Sequence, residues 1–225
     1  SITRLGSQVL VSGASAQLNL FGSADSLTLS KLSVAGGTLT LAGTVQVTDS
    51  FSQTGGTITI SNVFQAAGFN NSLNGGVFTG SGIATFVNDL TLGGSTISVT
   101  RIDVQQSFTI VRSSMITGGN LNSNGNCTIS GALAGSGSAT FKNSGTVVLQ
   151  TGALLSGSSW SLNNVGSLVL PDAITVSLAP AFTSTGTINV ANGVLSLQGG
   201  GVFSGPLNVA SPAALQIAGG VAQFN

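Results

Sequence analysis

The chain has 225 residues, only 4% of them charged, and its five basic and five acidic side chains give a formal net charge of zero. Its 33 glycines, with abundant Ser, Thr, Asn and Val, exclude a mainly helical protein, because all of these residues are weak helix formers. The lack of clustered Lys or Arg argues against nucleic-acid binding. Gly, Ser and Thr interrupt every apolar stretch well short of the roughly 20 residues of a membrane span, so no span is predicted.

The N-terminal part of the chain already has the pattern of β-strands. Apolar and polar residues alternate in Gln8-Val-Leu-Val-Ser12 and again in Gln17-Leu-Asn-Leu-Phe21. Alternation with a period of two places one face of a strand in a core and the other in solvent. We therefore expect short strands from the first residues onward, with no separate N-terminal domain.

A repeat with a period of about 20 residues, within the range of solenoid proteins, then becomes explicit. Gly36-Gly-Thr-Leu-Thr-Leu41 returns nineteen residues later as Gly55-Gly-Thr-Ile-Thr-Ile60, and related units begin at Gly75 and Gly94. Residues 100–134 are less regular and are interpreted as coils that carry a short excursion. The rhythm returns in the units that begin at Gly145, Gly166 and Gly186. A strand, a glycine corner and a strand at a fixed period predict a solenoid.

Aromatic residues recur with nearly the same period. They predict a ladder of buried, stacked rings formed by Phe51, Phe69, Phe86, Phe108, Phe141, Trp160, Phe182, Phe203 and Phe224. No aromatic residue is in phase between Phe108 and Phe141, and Cys127 is expected to take that place. Residues one period apart lie above each other at about the 4.8 Å strand spacing, so the rings would also fix the register.

These patterns together predict an all-β fold, a single-stranded parallel β-helix (β-solenoid) of about eleven coils of 19–22 residues. The crossover rule makes it right-handed. Residues 1–225 are expected to form one domain. Both ends of the sequence fall in the middle of the repeat pattern, as expected for a piece of a longer chain. An antiparallel sandwich is the alternative, since turn signals every 8–12 residues fit it too. The aromatic period favours the solenoid.

The residues that usually carry catalysis are scarce. Histidine is absent, so the lone Cys127 cannot form a Cys–His nucleophile or metal site, and no cofactor or metal is expected. Cys127 is predicted to be buried, the alternative being a bond to another chain. The five acids are all aspartates in corner-like contexts, with spacings that do not match the coil: Asp25, Asp49, Asp89, Asp103 and Asp172. We expect them to hydrogen-bond turns, not to act as paired catalytic carboxylates.

One surface feature stands out among the repeats. Outward hydroxyls recur in four coils and form a candidate surface array made of Thr38, Thr40, Thr57, Thr59, Thr79, Thr96 and Ser98. The array resembles the ice-binding faces of some β-solenoids. The alternative is that threonine simply suits the outward side of a strand.

The units Gly36-Gly-Thr-Leu-Thr-Leu-Ala-Gly43 and Gly135-Ser-Gly-Ser-Ala-Thr-Phe-Lys-Asn-Ser-Gly-Thr-Val-Val-Leu149 resemble β-helical repeats. Such repeats occur in autotransporter passenger domains and filamentous adhesins. The resemblance implies an exported protein, outside the cell or on its surface, that binds surfaces or assembles. It carries over no catalytic or binding residue, because the shared positions are corner glycines and core apolar residues.

The function expected from the sequence is that of a non-enzymatic extracellular structural protein. Its β-helix would self-assemble into a fibre, coat or adhesive surface, with further copies of the chain as partners and a surface or glycan as ligand. An ice-binding or carbohydrate-binding β-solenoid is the first alternative. A polysaccharide lyase or hydrolase is the second, since such enzymes also use β-helices.

Overall fold

The structure is a computed structural model that describes residues 8–20 and 26–225. The regular elements in these ranges are 29 β-strands, and they belong to one hydrogen-bonded parallel sheet that winds around a core. The strands are β1 (Gln8–Val11), β2 (Gln17–Leu20), β3 (Ser26–Val34), β4 (Thr38–Leu41), β5 (Thr44–Gln53), β6 (Thr57–Ile60), β7 (Val63–Ala66), β8 (Ser72–Leu73), β9 (Val77–Phe86), β10 (Asp89–Leu92), β11 (Thr96–Val104), β12 (Ser107–Ile110), β13 (Ser114–Ile116), β14 (Asn120–Ser123), β15 (Asn126–Ile129), β16 (Ala132–Gly135), β17 (Thr140–Asn143), β18 (Thr146–Leu149), β19 (Leu154–Ser156), β20 (Ser161–Asn164), β21 (Ser167–Leu170), β22 (Thr175–Leu178), β23 (Ala181–Ser184), β24 (Thr187–Val190), β25 (Val194–Leu197), β26 (Gly201–Phe203), β27 (Leu207–Val209), β28 (Ala214–Ile217) and β29 (Ala222–Phe224).

Every coil adds one strand segment to each of three parallel faces, which the chain visits in the order A, B, C. Face A consists of β1, residues 31–34 of β3, residues 50–53 of β5, β8, β10, β12, β15, β18, β21, β24 and β27. Face B consists of β2, β4, β6, residues 77–80 of β9, residues 96–99 of β11, β13, β16, β19, β22, β25 and β28. Face C consists of residues 26–29 of β3, residues 44–47 of β5, β7, residues 83–86 of β9, residues 101–104 of β11, β14, β17, β20, β23, β26 and β29.

The predicted β-solenoid of about eleven coils is confirmed. Most coils have the predicted 19–22 residues, but the range is slightly wider, because Asp89 pairs with Ser107 after 18 residues and Gln8 pairs with Lys31 after 23. Residues 100–134 hold regular coils, with Ser107 paired to Asn126, so the predicted excursion is absent there. The sequence pattern of this segment is irregular because of its polar outward residues, and these do not disturb the inward positions.

The core lies inside the three faces and follows the alternation in the sequence. In β4, Leu39 and Leu41 are buried while Thr38 and Thr40 are half-buried. The same in–out pattern holds in β6 and in most of the strands from β4 to β24. Each buried aliphatic side chain contributes roughly 1.5–3 kcal/mol relative to exposure. The faces are therefore held by a continuous hydrocarbon core, and their outward side chains are free to differ.

Glycines at the corner from face C to face A allow successive coils to stack closely. A Cβ added to Gly166 would overlap the carbonyl oxygen of Gly145 in the coil below, and one added to Gly186 would overlap that of Gly166. The same contact recurs in a column of five glycines: Gly125, Gly145, Gly166, Gly186 and Gly205. We call these residues the glycine column. Any side chain there would push two coils apart.

The aromatic residues are placed differently from the predicted single ladder. Seven of them are buried as expected: Phe51, Phe86, Phe108, Phe141, Trp160, Phe182 and Phe203. They do not form one column, however, because Phe51 and Phe108 lie on face A while Phe86, Phe141 and Phe182 lie on face C. Within face C, leucines separate the rings, since Leu162 pairs with both Phe141 and Phe182. Rings therefore meet across the core, as Phe108 and Phe141 do at 6.3 Å.

Phe69 corrects the prediction most clearly, because 64% of its surface is exposed. It lies in the corner between β7 and β8, beside Asn70, whose φ of 61° is left-handed. The turn there gives the inward place to Asn71, which is buried and accepts a hydrogen bond from the Phe51 backbone at 3.1 Å. Two rings absent from the prediction, Phe64 and Phe78, are buried instead and complete a cluster with Phe51 and Phe86.

Phe224 and Phe203 form the one pair of predicted ladder rings that are register partners. Their centroids are 5.1 Å apart and the rings are nearly parallel, at 24°. Phe224 lies in β29, in the last described coil, and is 57% exposed. Stacking therefore holds for these two residues, although only Phe203 is buried.

A buried polar ladder replaces hydrocarbon at one inward position of face C. Ser123, Asn143, Asn164 and Ser184 are register partners in four successive coils, and all four are buried. Asn143 Nδ2 donates to Asn164 Oδ1 at 2.7 Å, and Asn164 Nδ2 donates to Ser184 Oγ at 2.9 Å. Buried amides are tolerated when such partners satisfy them.

Candidate functional site

The aspartates are the side chains of this chain that could act as catalytic acids or bases. Asp89, however, is bonded to groups of a corner. Its carboxylate accepts hydrogen bonds from the backbone N–H of Asn70 at 2.8 Å and of Asn71 at 3.2 Å. Asn71 Nδ2 donates to it as well, at 3.1 Å. Asp89 thus holds the corner that displaces Phe69.

The other described aspartates contact neighbouring groups or lie in a corner. Asp103 accepts from Arg101 Nε at 2.8 Å and from Asn122 Nδ2 at 2.7 Å. Asp49 pairs with Lys31 at 3.4 Å. Asp172 is exposed in the corner between β21 and β22, and Asp25 lies outside the described residues. Within residues 8–20 and 26–225, no group of three His, Cys, Asp or Glu side chains is placed to hold a metal ion.

Cys127 is buried, as predicted, in β15 on face A. Its register partners are Phe108 and Val147, so it occupies the place above Phe108 that the sequence assigned to it. Burial strongly raises the pKa of the Cys127 thiol, and the nearby Ser123 side chain opposes this only in part. The thiol is therefore neutral at physiological pH and is a packing group, because nucleophilic chemistry needs the thiolate.

The candidate hydroxyl array lies together on face B. Thr38 pairs with Thr57, and Thr40 with Thr59. Thr59 pairs with Thr79, which in turn pairs with Ser98, while Val77 separates Thr57 from Thr96. All of these side chains are half-buried and point outward between buried residues of the core. The seven predicted residues thus share one surface, in two columns that run along the solenoid.

One of these columns is longer than the sequence reasoning indicated. Thr117 N–H donates to Ile97 O and Ser136 N–H donates to Ile116 O, which continues the stack beyond Ser98. We call the six outward residues the hydroxyl column: Thr40, Thr59, Thr79, Ser98, Thr117 and Ser136. Two of its hydroxyls donate to backbone carbonyls of neighbouring coils: Thr79 Oγ1 to Ser98 O at 3.2 Å and Thr117 Oγ1 to Ile97 O at 3.3 Å. Counting forward from Ser98 in steps of one coil would have revealed the continuation.

Face B also differs from the other faces in charge. Its described strands contain no Asp, Lys or Arg, whereas face A carries Lys31 and Asp89 and face C carries Arg101, Asp103 and Lys142. Two large apolar side chains point outward from face B and are exposed, Met115 and Leu154, at 44% each. Arg112 and Asp172 are exposed at the corner where the chain passes from face A to face B. Face B is therefore an uncharged surface of hydroxyl and apolar groups with charges only at its border.

A shallow depression on face C provides a contrasting surface. It has a volume of about 300 Å³ and is lined by Lys142, Asn163, Asn164, Val165, Thr183 and Thr185. Its single charged lining residue is Lys142, and the lining contains no carboxylate. Glycoside hydrolysis uses a pair of carboxylates that flank the bond to be cleaved. The described strands bring no such pair into this depression.

No helix in the described part of the chain has the length and apolar character needed to cross a membrane. Comparisons of the chain with protein-family models, with curated proteins and with solved structures found no match. The conclusion available from the fold is that the chain is a β-helical repeat protein.

Proposed function

We propose that this chain is a non-enzymatic structural protein that works outside the cell by self-association of its rod into a fibre, coat or adhesive surface. It would be a protein of the same type as autotransporter passenger domains and filamentous adhesins, because its repeats resemble theirs. The observation that carries the proposal is the uncharged face B, which extends along the length of the described solenoid.

The distribution of charge supports self-association more generally. From Ser113 to Asn225 the charged side chains are Lys142 and Asp172 alone. Scattered charge keeps proteins apart, and a net charge near zero promotes association. A rod whose C-terminal half carries so few charges lacks the usual protection against contact with its own copies.

The environments of the aspartates support a role other than catalysis. Asp89 holds a corner, and Asp49 and Asp103 pair with basic side chains of the same surface. A catalytic carboxylate has to be available to a substrate, with a second acid or base within reach of the same bond. The partners seen here fit the structural explanation of these residues.

Light scattering on the 225-residue chain tests the proposal. The average mass is expected to rise with protein concentration at moderate salt, and electron microscopy of the concentrated sample should show rods in contact. A mass that stays monomeric at every concentration, with isolated rods on the grid, would overturn the proposal. Asp49→Asn, Asp89→Asn, Asp103→Asn and Asp172→Asn, assayed on polysaccharides, test the enzyme alternative, which requires cleavage that one of them abolishes.

Binding of ice is the second candidate, and the hydroxyl column favours it. Six hydroxyls in successive coils present a regular array with spacings of about 4.8 Å along the solenoid. A thermal-hysteresis measurement on the chain separates this candidate from self-association. Hysteresis that Thr59→Lys removes and Thr91→Lys on face A leaves intact would establish it.

A further inference from the structure

We infer that face B is the surface on which a second copy of the chain packs, with the two rods antiparallel and centred between coil seven (β15–β17) and coil eight (β18–β20). The inference deepens the proposed self-association and rests on it. It names the surface, the partner and the register of the contact.

The chemistry of face B fits a copy of itself better than it fits a charged partner. Its described strands lack charged residues, and its outward side chains are mostly Thr, Ser, Ala and Val, with Met115 and Leu154 exposed among them. Charged residues are depleted at the centres of protein interfaces, and Met is enriched there. Two such faces can pack as aligned sheets about 10 Å apart without burying an unpaired charge.

Size complementarity between two copies sets the register. The twofold axis of the pair lies between the two faces and runs parallel to their strands. It places every outward column opposite the same column of the second copy, and it reverses the order of the coils. Coil seven then lies opposite coil eight. Leu154 and Ala132 are register partners in one column, so Leu154 of each copy lies over the small Ala132 of the other. One of the largest outward side chains of the face thus meets one of its smallest.

Charge complementarity at the border of face B gives the same register. Arg112 lies in the corner before β13, in coil six (β12–β14), and Asp172 lies in the corner before β22, in coil nine (β21–β23). An antiparallel pair centred between coils seven and eight places coil six opposite coil nine. Arg112 of each copy therefore faces Asp172 of the other, twice per dimer.

The contact is large enough for a specific dimer. In this register coils four to eleven overlap. A face four residues wide and eight coils long covers roughly 13 by 38 Å at ordinary strand dimensions, so that about 1,000 Å² is buried in total. A specific interface needs about 1,000 Å². The border residues Arg112 and Asp172 add to this area.

Sedimentation equilibrium of three proteins tests the surface. The wild-type chain should dimerise, and Leu154→Lys should raise the dissociation constant at least about tenfold, because it buries an unpaired charge. Val63→Lys is the control, since Val63 is outward and 40% exposed on face C, close to the 44% of Leu154. It should dimerise as the wild type does, and all three should share one thermal midpoint at concentrations low enough for each protein to be monomeric.

Charge exchange tests the register. Arg112→Asp alone should weaken the dimer, since it places like charges opposite each other, and adding Asp172→Arg should restore it. Lys142→Asp on face C should have no effect. Failure of the double variant to recover would overturn the antiparallel register.

The outcomes separate this inference from the proposed function. If Leu154→Lys dimerises like the wild type while Val63→Lys does not, self-association stands and its assignment to face B is wrong. If the wild-type chain is monomeric throughout, both are wrong. Loss of the dimer in Leu154→Lys alone, with rescue by charge exchange, supports both.

Discussion

At the scale of single residues, Phe182 shows what an inward ring contributes. It is buried on face C, and its ring meets that of Phe203 at 5.5 Å and 74°, an edge-to-face contact. Phe182→Ala should lower the free energy of unfolding by about 3–5 kcal/mol, because it removes buried surface and leaves a cavity. Urea unfolding measures this.

Phe69→Ala is the matched control for the Phe182 variant. Phe69 is exposed in its corner, so its removal should change stability by less than about 0.5 kcal/mol. Equal unfolding midpoints for Phe182→Ala and the wild type would contradict the core position of this ring.

The sequence predicts which residues point inward along a strand, because alternation has a fixed period of two. The burial of Phe141 and Phe182 was predicted from the recurrence of aromatic residues at the coil period, and their inward places within β17 and β23 agree with it. The prediction failed at Phe69, because the left-handed Asn70 resets the phase inside a corner, and no count of residues reveals that turn. Phe64 was missed because it lies 13 residues after Phe51 and 14 before Phe78, spacings that do not match the coil, although its place within β7 marks it as inward.

At the scale of the structural element, the corner between faces C and A depends on the glycine column. Gly166→Ala should destabilise the fold by about 1–3 kcal/mol or more, since its Cβ would overlap the carbonyl oxygen of Gly145. Gly36→Ala is the matched control, because its Cβ would meet the Gly13 backbone nitrogen at 3.3 Å, a tight contact that a shift of a few tenths of an ångström relieves, so its loss of stability should be smaller. Thermal unfolding of both variants checks this, and equal losses would contradict the steric explanation.

The candidate array on face B was predictable as far as its paired threonines. Thr38, Thr57 and Thr96 follow glycine corners that recur in the sequence, so their alignment could be counted. The continuation through Thr117 and Ser136 was not recognised, because the repeat there has lost its Thr-x-Thr form and Met115 stands in the neighbouring column. To recognise that face B lacks charge, one needs the three-dimensional position of every strand, which a linear sequence does not give.

At the scale of the whole molecule, each coil contacts mainly the coils above and below it. Removal of one full coil should therefore preserve the fold, while removal of part of a coil should not. Deletion of residues 146–166 removes 21 residues, which is the spacing of Asn143 and Asn164. It joins Gly145 to Ser167, the register partner of the deleted Thr146. Far-UV circular dichroism and cooperative urea unfolding should show a folded β-protein.

Deletion of residues 146–156 is the control for the coil deletion. It removes the segments of faces A and B but keeps that of face C, so β20 would follow β17 with no strands between them. This variant should lose cooperative unfolding. A folded out-of-phase variant beside an unfolded in-phase one would show that coils are not the units of this structure.

The polar ladder has a consequence for how the chain reaches its structure. Below Ser123 the same inward position holds Val104, and above Ser184 it holds Phe203. A coil that docked one level too early would bring an amide against hydrocarbon, and each unsatisfied group would cost about 1–3 kcal/mol. If this inward position held an apolar side chain in every coil, the same slip would cost little free energy. Asn143 and Asn164 therefore favour the native register over one that is shifted by a coil.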